Sequence, residues 1–176
     1  MSAAASARGV NRVWWRLPAP VRRAVLVLHV VVSAALLGEL WGLVVLNLTA
    51  TLTAETELAH SAYRLMEQLI FEGGAPLSLT GLATGVVLAL SSPWGLLRNY
   101  WVFAKLLLLV GVILGGVLFF TPADLADATR DGAAPAARQW QQVAVVASGV
   151  VMLVVATALS VLKPRGRLPW ARRTRT

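Results

Sequence analysis

Residues 106–123 read LLLLVGVILGGVLFFTPA, an unbroken uncharged run in which leucine and glycine dominate. A helix needs about 20 apolar residues, rising about 1.5 Å each, to cross a hydrocarbon layer of about 30 Å. This run nearly meets that length, and its neighbours repeat it. Residues 24–48 are apolar and interrupted by one acid, Glu39, while residues 73–97 and 139–162 carry no charge. The spacing predicts an all-α, four-helix transmembrane bundle with spans at about 24–48, 60–91, 99–120 and 139–162. A chain of 176 residues leaves no room beside them for a second domain, so residues 21–163 form the membrane domain.

Composition agrees, at 57% hydrophobic and 14% charged residues. There is no cysteine. Disulfides, thiolate zinc sites, iron–sulfur clusters and covalently attached c-type haem are therefore excluded.

The net charge is +8, and its distribution sets the topology. Arg8, Arg12, Arg16, Arg22 and Arg23 precede the first span. Lys163, Arg165, Arg167, Arg172, Arg173 and Arg175 follow the last, and Arg98 lies between the second and third. The other two connections carry Glu55 and Glu57, and Asp124, Asp127 and Asp131 beside Arg130 and Arg138. Basic residues near span ends resist translocation, so both termini and the Arg98 turn are expected in the cytoplasm, in a multi-pass protein of the plasma membrane. Residues 1–20 read as a disordered basic N-terminus and 164–176 as a basic tail. Both suit anionic lipid headgroups, at roughly 1 kcal/mol per basic residue near the surface. Topology accounts for these arginines, so nucleic acid is not an expected partner. The first apolar run exceeds the 7–15 residues of a signal-peptide core and reads as a retained span.

Within the chain, Leu58, Ala62, Leu65, Met66, Leu69 and Ile70 recur at helical spacing with Glu57, Arg64 and Glu67 between them. That is an amphipathic helix, ended by Glu72-Gly73-Gly74-Ala75-Pro76. Proline removes an internal hydrogen bond, so a kink or short break is expected there. Residues 54–72 either lie on the outer surface or form the upper half of one bent second span; the bent span is the preferred reading. Trp94, Trp140 and Trp170 stand near span ends, as in an aromatic belt. Gly81-x-x-x-Gly85 and Gly111-x-x-x-Gly115 offer small-residue faces for close helix contacts, within this bundle or in a homo- or hetero-oligomer.

Ionisable groups inside a span cost at least about 2.5–3.5 kcal/mol, so each asks for a partner or a role. His29 and Lys105 lie at similar depth near the cytoplasmic ends of the first and third spans, with Ser33 and Trp101 one turn away on their faces. Lys105 either snorkels to headgroups or serves a site; His29, too short to snorkel, points to function. The two are expected to face each other across a contact between the first and third spans. Glu39 lies deeper, and Arg64 from the amphipathic segment is its expected structural partner, with a proton relay as the alternative. His29 and His60 fall on opposite sides of the bilayer. A bis-histidine haem and a shared metal are therefore disfavoured and no multi-ligand metal site is expected, while a haem with one histidine ligand or a single-histidine site stays open.

Four motifs carry a resemblance. They are Leu28-His29-Val30-Val31-Val32-Ser33, Leu90-Ser91-Ser92-Pro93-Trp94-Gly95-Leu96, Tyr100-Trp101-Val102-Phe103-Ala104-Lys105-Leu106 and Leu159-Ser160-Val161-Leu162-Lys163-Pro164-Arg165-Gly166. Over roughly residues 22–167 the chain resembles an actinobacterial membrane family, domain of unknown function 2269. More distantly, the early histidine and the Trp-x-x-x-Lys are similar to HemJ-type protoporphyrinogen oxidases and CopD-type copper-resistance proteins. That resemblance implies His29 as a candidate haem or metal ligand and Lys105 as its functional companion, without fixing the cofactor. Phe103 and Ala104 stand where HemJ-type proteins usually carry a further histidine, so catalysis is not implied. The leading expectation is an integral membrane binding or accessory module. A haem- or metal-binding redox protein using His29 and Lys105 is the alternative, and a small transporter the second alternative.

Overall fold

The computed structural model describes residues 17–91, 99–132 and 134–162. The expected disorder of residues 1–16, the turn around Arg98 and the basic tail lie outside the described residues. Six α-helices follow one another: α1 Ala19–Leu52, α2 Thr56–Leu69, α3 Ala75–Leu90, α4 Tyr100–Phe119, α5 Pro122–Arg130 and α6 Ala136–Leu162. A π-helical turn, Ile70–Gly74, joins α2 to α3 without a break. Four continuous helices, Ala19–Leu52, Thr56–Leu90, Tyr100–Arg130 and Ala136–Leu162, are long and apolar enough to cross a membrane. The protein is an all-α four-helix bundle of the multi-pass membrane type.

Its surface supports the same conclusion. Val27, Val30, Trp41, Val117, Leu118 and Val161 are all more than half exposed. In water this would be a far larger apolar surface than monomers tolerate; in lipid it is the ordinary outer face. The first helix begins at Ala19, inside the segment expected to be disordered, because Pro20 occupies the first turn and needs no N–H partner there.

Packing follows from two internal stripes. On α1 the buried residues are Val32, Leu36, Leu40, Leu43, Asn47 and Ala50; on α6 they are Gln142, Val146, Gly149 and Leu153. Leu40 sits directly on Gly149, and a Cβ there would stand 2.8 Å from Leu40 Cδ2. Leu36 clusters with Leu153 on one side of that contact and Leu43 with Val146 on the other, so each step up α1 is matched by a step back along α6, which brings Asn47 level with Gln142. The helices are therefore antiparallel. A second register ties α1 to the second span: Val32 meets Gly81, His29 meets Gly85, and Glu39 meets Gly73 and Gly74. The Gly81-x-x-x-Gly85 face is thus used inside the bundle. On the other motif Gly111 meets Met152 of α6, whereas Gly115 faces open space.

The amphipathic segment belongs to the bundle. Its buried face is Ala59, Ala62, Tyr63 and Met66, while Leu58 and Leu65 are exposed. Small residues allow the close approach of α1 and α5, and the larger leucines face outward. The π turn replaces the expected break for a stereochemical reason. Pro76 lacks the N–H that an α-helix needs, and the wider turn closes from Ala75 N–H to Ile70 O instead.

The spans form a ring in chain order. α1 packs against the second span and α6, and α4 packs against α6 and, more lightly, α3. Among the described residues α1 and α4 make no backbone contact. The first and third spans are therefore diagonal, and the expected face-to-face contact between them is corrected. Depth along a helix is written in the sequence; the order of helices around a ring depends on which stripes interlock.

Candidate functional site

The site is built where α1 leaves its leucine seam toward the chain termini. His29 continues the inner stripe of α1 beyond Leu36 and Val32, and its ring lies against Gly85, whose added Cβ would stand 3.2 Å from Cε1. An alanine there would press the ring aside by a few tenths of an ångström. Nδ1 of His29 is 2.9 Å from Thr84 Oγ1. The Thr84 hydroxyl donates its hydrogen to Thr80 O at 2.7 Å, so its oxygen is left to accept. Nδ1 therefore carries the proton and donates it to Thr84. In that tautomer Nε2 carries the lone pair, and the Gly81 backbone also lies beside the imidazole.

Lys105 is the charged group that acts electrostatically on this imidazole. The contacts of Gly111 with Met152, and of Val112 beside Gly149, fix α4 against α6. Seven residues back from Val112, Lys105 is level with Ala156 and Ser33, about one turn deeper than His29. Across the diagonal, His29, Thr84 and Lys105 make one polar locus in the half of the bundle nearest the termini. Both charge-bearing residues are half-buried.

His60 lies at the other end. Its Nδ1 donates to Ala126 O at 2.8 Å and fastens α5 to α2. It cannot share a ligand with His29. Among the described residues no group of three or more His, Cys, Asp or Glu converges.

The expected Glu39–Arg64 pair is not formed. Arg64 donates to Asp127 at 2.8 Å and to Glu67 at 3.1 Å, both near the far end of the bundle. Gly74, the residue level with Glu39, is ten residues from Arg64, or about 15 Å of helix, beyond the reach of an arginine. The Glu39 carboxylate instead lies on the bare backbone of the π turn. A Cβ at Gly73 would stand 2.9 Å from Oε2, and one at Gly74 would stand 3.0 Å from Oε1. The Gly74 N–H faces it in a geometry short of a full hydrogen bond.

Two further sets of residues escaped the sequence reading. Thr84 was legible as a hydroxyl between two glycines of a contact motif, but its bond to His29 needs the register of two helices. Asn47, Tyr63 and Gln142 are buried and polar, and Asn47 was visible as the lone amide in the first apolar run. Comparison with known proteins gives no match, since no family model, curated protein or solved structure is significantly similar to this chain.

Proposed function

We propose that the protein is a small membrane-embedded binding module, with its site at His29, Thr84 and Lys105 in the cytoplasmic half of a plasma-membrane bundle. The carrying observation is the imidazole of His29, bonded through Nδ1 to Thr84 in the bundle interior, with Lys105 across the diagonal about one turn deeper. Polar groups placed there against lipid carry a cost that a bound partner would offset. The matching ligand is an amphiphile whose head offers an acceptor of the Nε2 lone pair and a negative charge for Lys105. The arginines at both ends support the orientation and add attraction for anionic headgroups.

A second reading, favoured by the Nδ1 bond that orients the ring, is a haem protein in which His29 would supply a ligand and Lys105 would pair with a propionate. Bound there, haem would supply one-electron redox chemistry. This reading follows the distant HemJ-type and CopD-type analogy drawn from the histidine and Trp-x-x-x-Lys motifs.

Purification from the native host, with absorption spectroscopy and mass analysis of retained small molecules, tests both readings. The binding module predicts an acidic molecule retained by the native protein and lost in His29→Ala and Lys105→Ala. A Soret band in the native protein that His29→Ala removes selects haem. A folded native protein that retains nothing overturns the module, and retention unchanged in both variants overturns the site.

A further inference from the structure

All acidic side chains of this protein lie in one half of it. Of the eight Asp and Glu residues, Glu39 comes nearest the termini; the others stand on the second span, on α5 or in the far connections. The half nearest the termini carries only cations, with Arg22 and Arg23 before the first apolar run, Arg98 between the second and third, and Lys163 after the last. Those four sit at span ends, where water and headgroups reach them. Lys105 does not. Level with Ser33, it lies ten residues in from Arg23, about 15 Å of helix. The ion pairs among the described residues are made by Arg64 and Arg138 at the other end, and none involves Lys105. Glu39 is six residues beyond Ser33, about 9 Å of helix, and rests on Gly73 and Gly74. The counter-charge of Lys105 is therefore not an acidic side chain of this protein.

Three features narrow what supplies it. Lys105 stands about one turn deeper than His29, but its long stem leans toward the N-terminus of α4, which returns the ammonium toward the level of the imidazole. Its charge acts on that ring. A headgroup that meets the ammonium can therefore also meet Nε2 of His29, which accepts a hydrogen bond from an O–H. Deeper still, Leu36, Leu40 and Leu153 form an apolar seal, so a headgroup goes no farther in. Finally, α4 is the least enclosed span. None of its residues is buried, whereas the other three spans each bury four or more, and it packs on α3 only lightly.

We propose, resting on the binding-module reading, that the occupant is one phospholipid from the leaflet nearest the termini, a singly charged phosphodiester with a hydroxylated headgroup. Its phosphate meets Lys105, a headgroup hydroxyl donates to Nε2 of His29, and its acyl chains leave between α3 and α4. Competing lipids each miss a contact. An ionised fatty acid brings the charge without the hydroxyl, and a diacylglycerol the hydroxyl without the charge. A choline head sets its own cation against the lysine. The arginines at the span ends concentrate negative lipid at this face.

Native mass spectrometry of the delipidated full chain tests this, with phosphatidylglycerol, phosphatidylmethanol (the same charge, no hydroxyl) and phosphatidylcholine as probes. Phosphatidylglycerol should bind about tenfold more tightly than phosphatidylmethanol, as one hydrogen bond supplies, and both more tightly than phosphatidylcholine. His29→Ala should erase the first difference and Lys105→Ala the second, while Lys105→Arg keeps it; thermal unfolding verifies that each variant is folded. Equal binding of the two anionic lipids, or a hydroxyl preference that survives His29→Ala, overturns the proposal and leaves Lys105 snorkelling to ordinary headgroups. Phosphatidylglycerol carrying a diazirine in mid-chain should label α3 and α4; label confined to α1 and α6 overturns the side exit. A retained acidic molecule that lacks a hydroxyl, lost in both alanine variants, overturns this lipid alone. A native protein that retains nothing and binds the three lipids equally overturns the binding module as well.

Discussion

His29 owes its fixed ring to two neighbours on α3, Thr84 for the hydrogen bond and Gly85 for the space. Thr84→Val keeps the shape and removes the acceptor, so the ring should lose its anchor at a cost of about 0.5–1.5 kcal/mol. Retention of the co-purifying ligand should fall up to about tenfold, with Thr84→Ser restoring it; equal retention in all three proteins would detach Thr84 from the site. Gly85→Ala should displace the imidazole by a few tenths of an ångström, visible as a changed His29 ring shift in NMR. At this scale the sequence carried depth well. His29 and Lys105 share one end of the bundle, as counting from the span starts indicates. It did not carry partners, because those depend on reach across helices. Arg64 is the nearest cation to Glu39 by span logic, yet Asp127 from a loop helix and Glu67 one turn along α2 satisfy it instead.

Between elements, apolar contact and helix register carry the packing more than exposed charge does. The Arg64–Asp127 pair joins α2 to α5, but both side chains are largely exposed and such pairs contribute about 0–1 kcal/mol. Leu125, 1% exposed in the cluster with Tyr63 and Met66, holds α5 far more firmly. Leu125→Ala should cost about 2–5 kcal/mol. Thermal unfolding in detergent should therefore rank Leu125→Ala well below Arg64→Ala. A second comparison separates packing glycines from idle ones. Gly149→Ala would force Leu40 aside within the leucine seam, costing about 1–3 kcal/mol. Gly38→Ala meets nothing within 4 Å and should be neutral or stabilising by about 0.5–1 kcal/mol. Equal losses from both would deny the seam its role. The number of spans was legible because each is an apolar run near the thickness of the membrane. The π turn was legible only as a disturbance at Gly73-Gly74-Pro76; that the helix passes through it unbroken depends on the glycines packing on Glu39.

For the molecule as a whole, one helix register sets the interior. Opposing stripes on α1 and α6 set the leucine seal at mid-bundle, the amides Asn47 and Gln142 on one side of it, and His29 on the other. Sequence alone could not choose the ring order, since every span has an apolar face and lipid accepts any of them. Disulfide cross-linking of cysteine pairs tests the register most directly, because the native chain contributes no thiol. Under mild oxidation in native membranes, Leu40→Cys with Gly149→Cys should form an intramolecular disulfide efficiently, whereas Leu40→Cys with Gln142→Cys, offset by about two turns, should not. Efficient bonding of the offset pair and none of the level pair would contradict the register and the polar layers built on it.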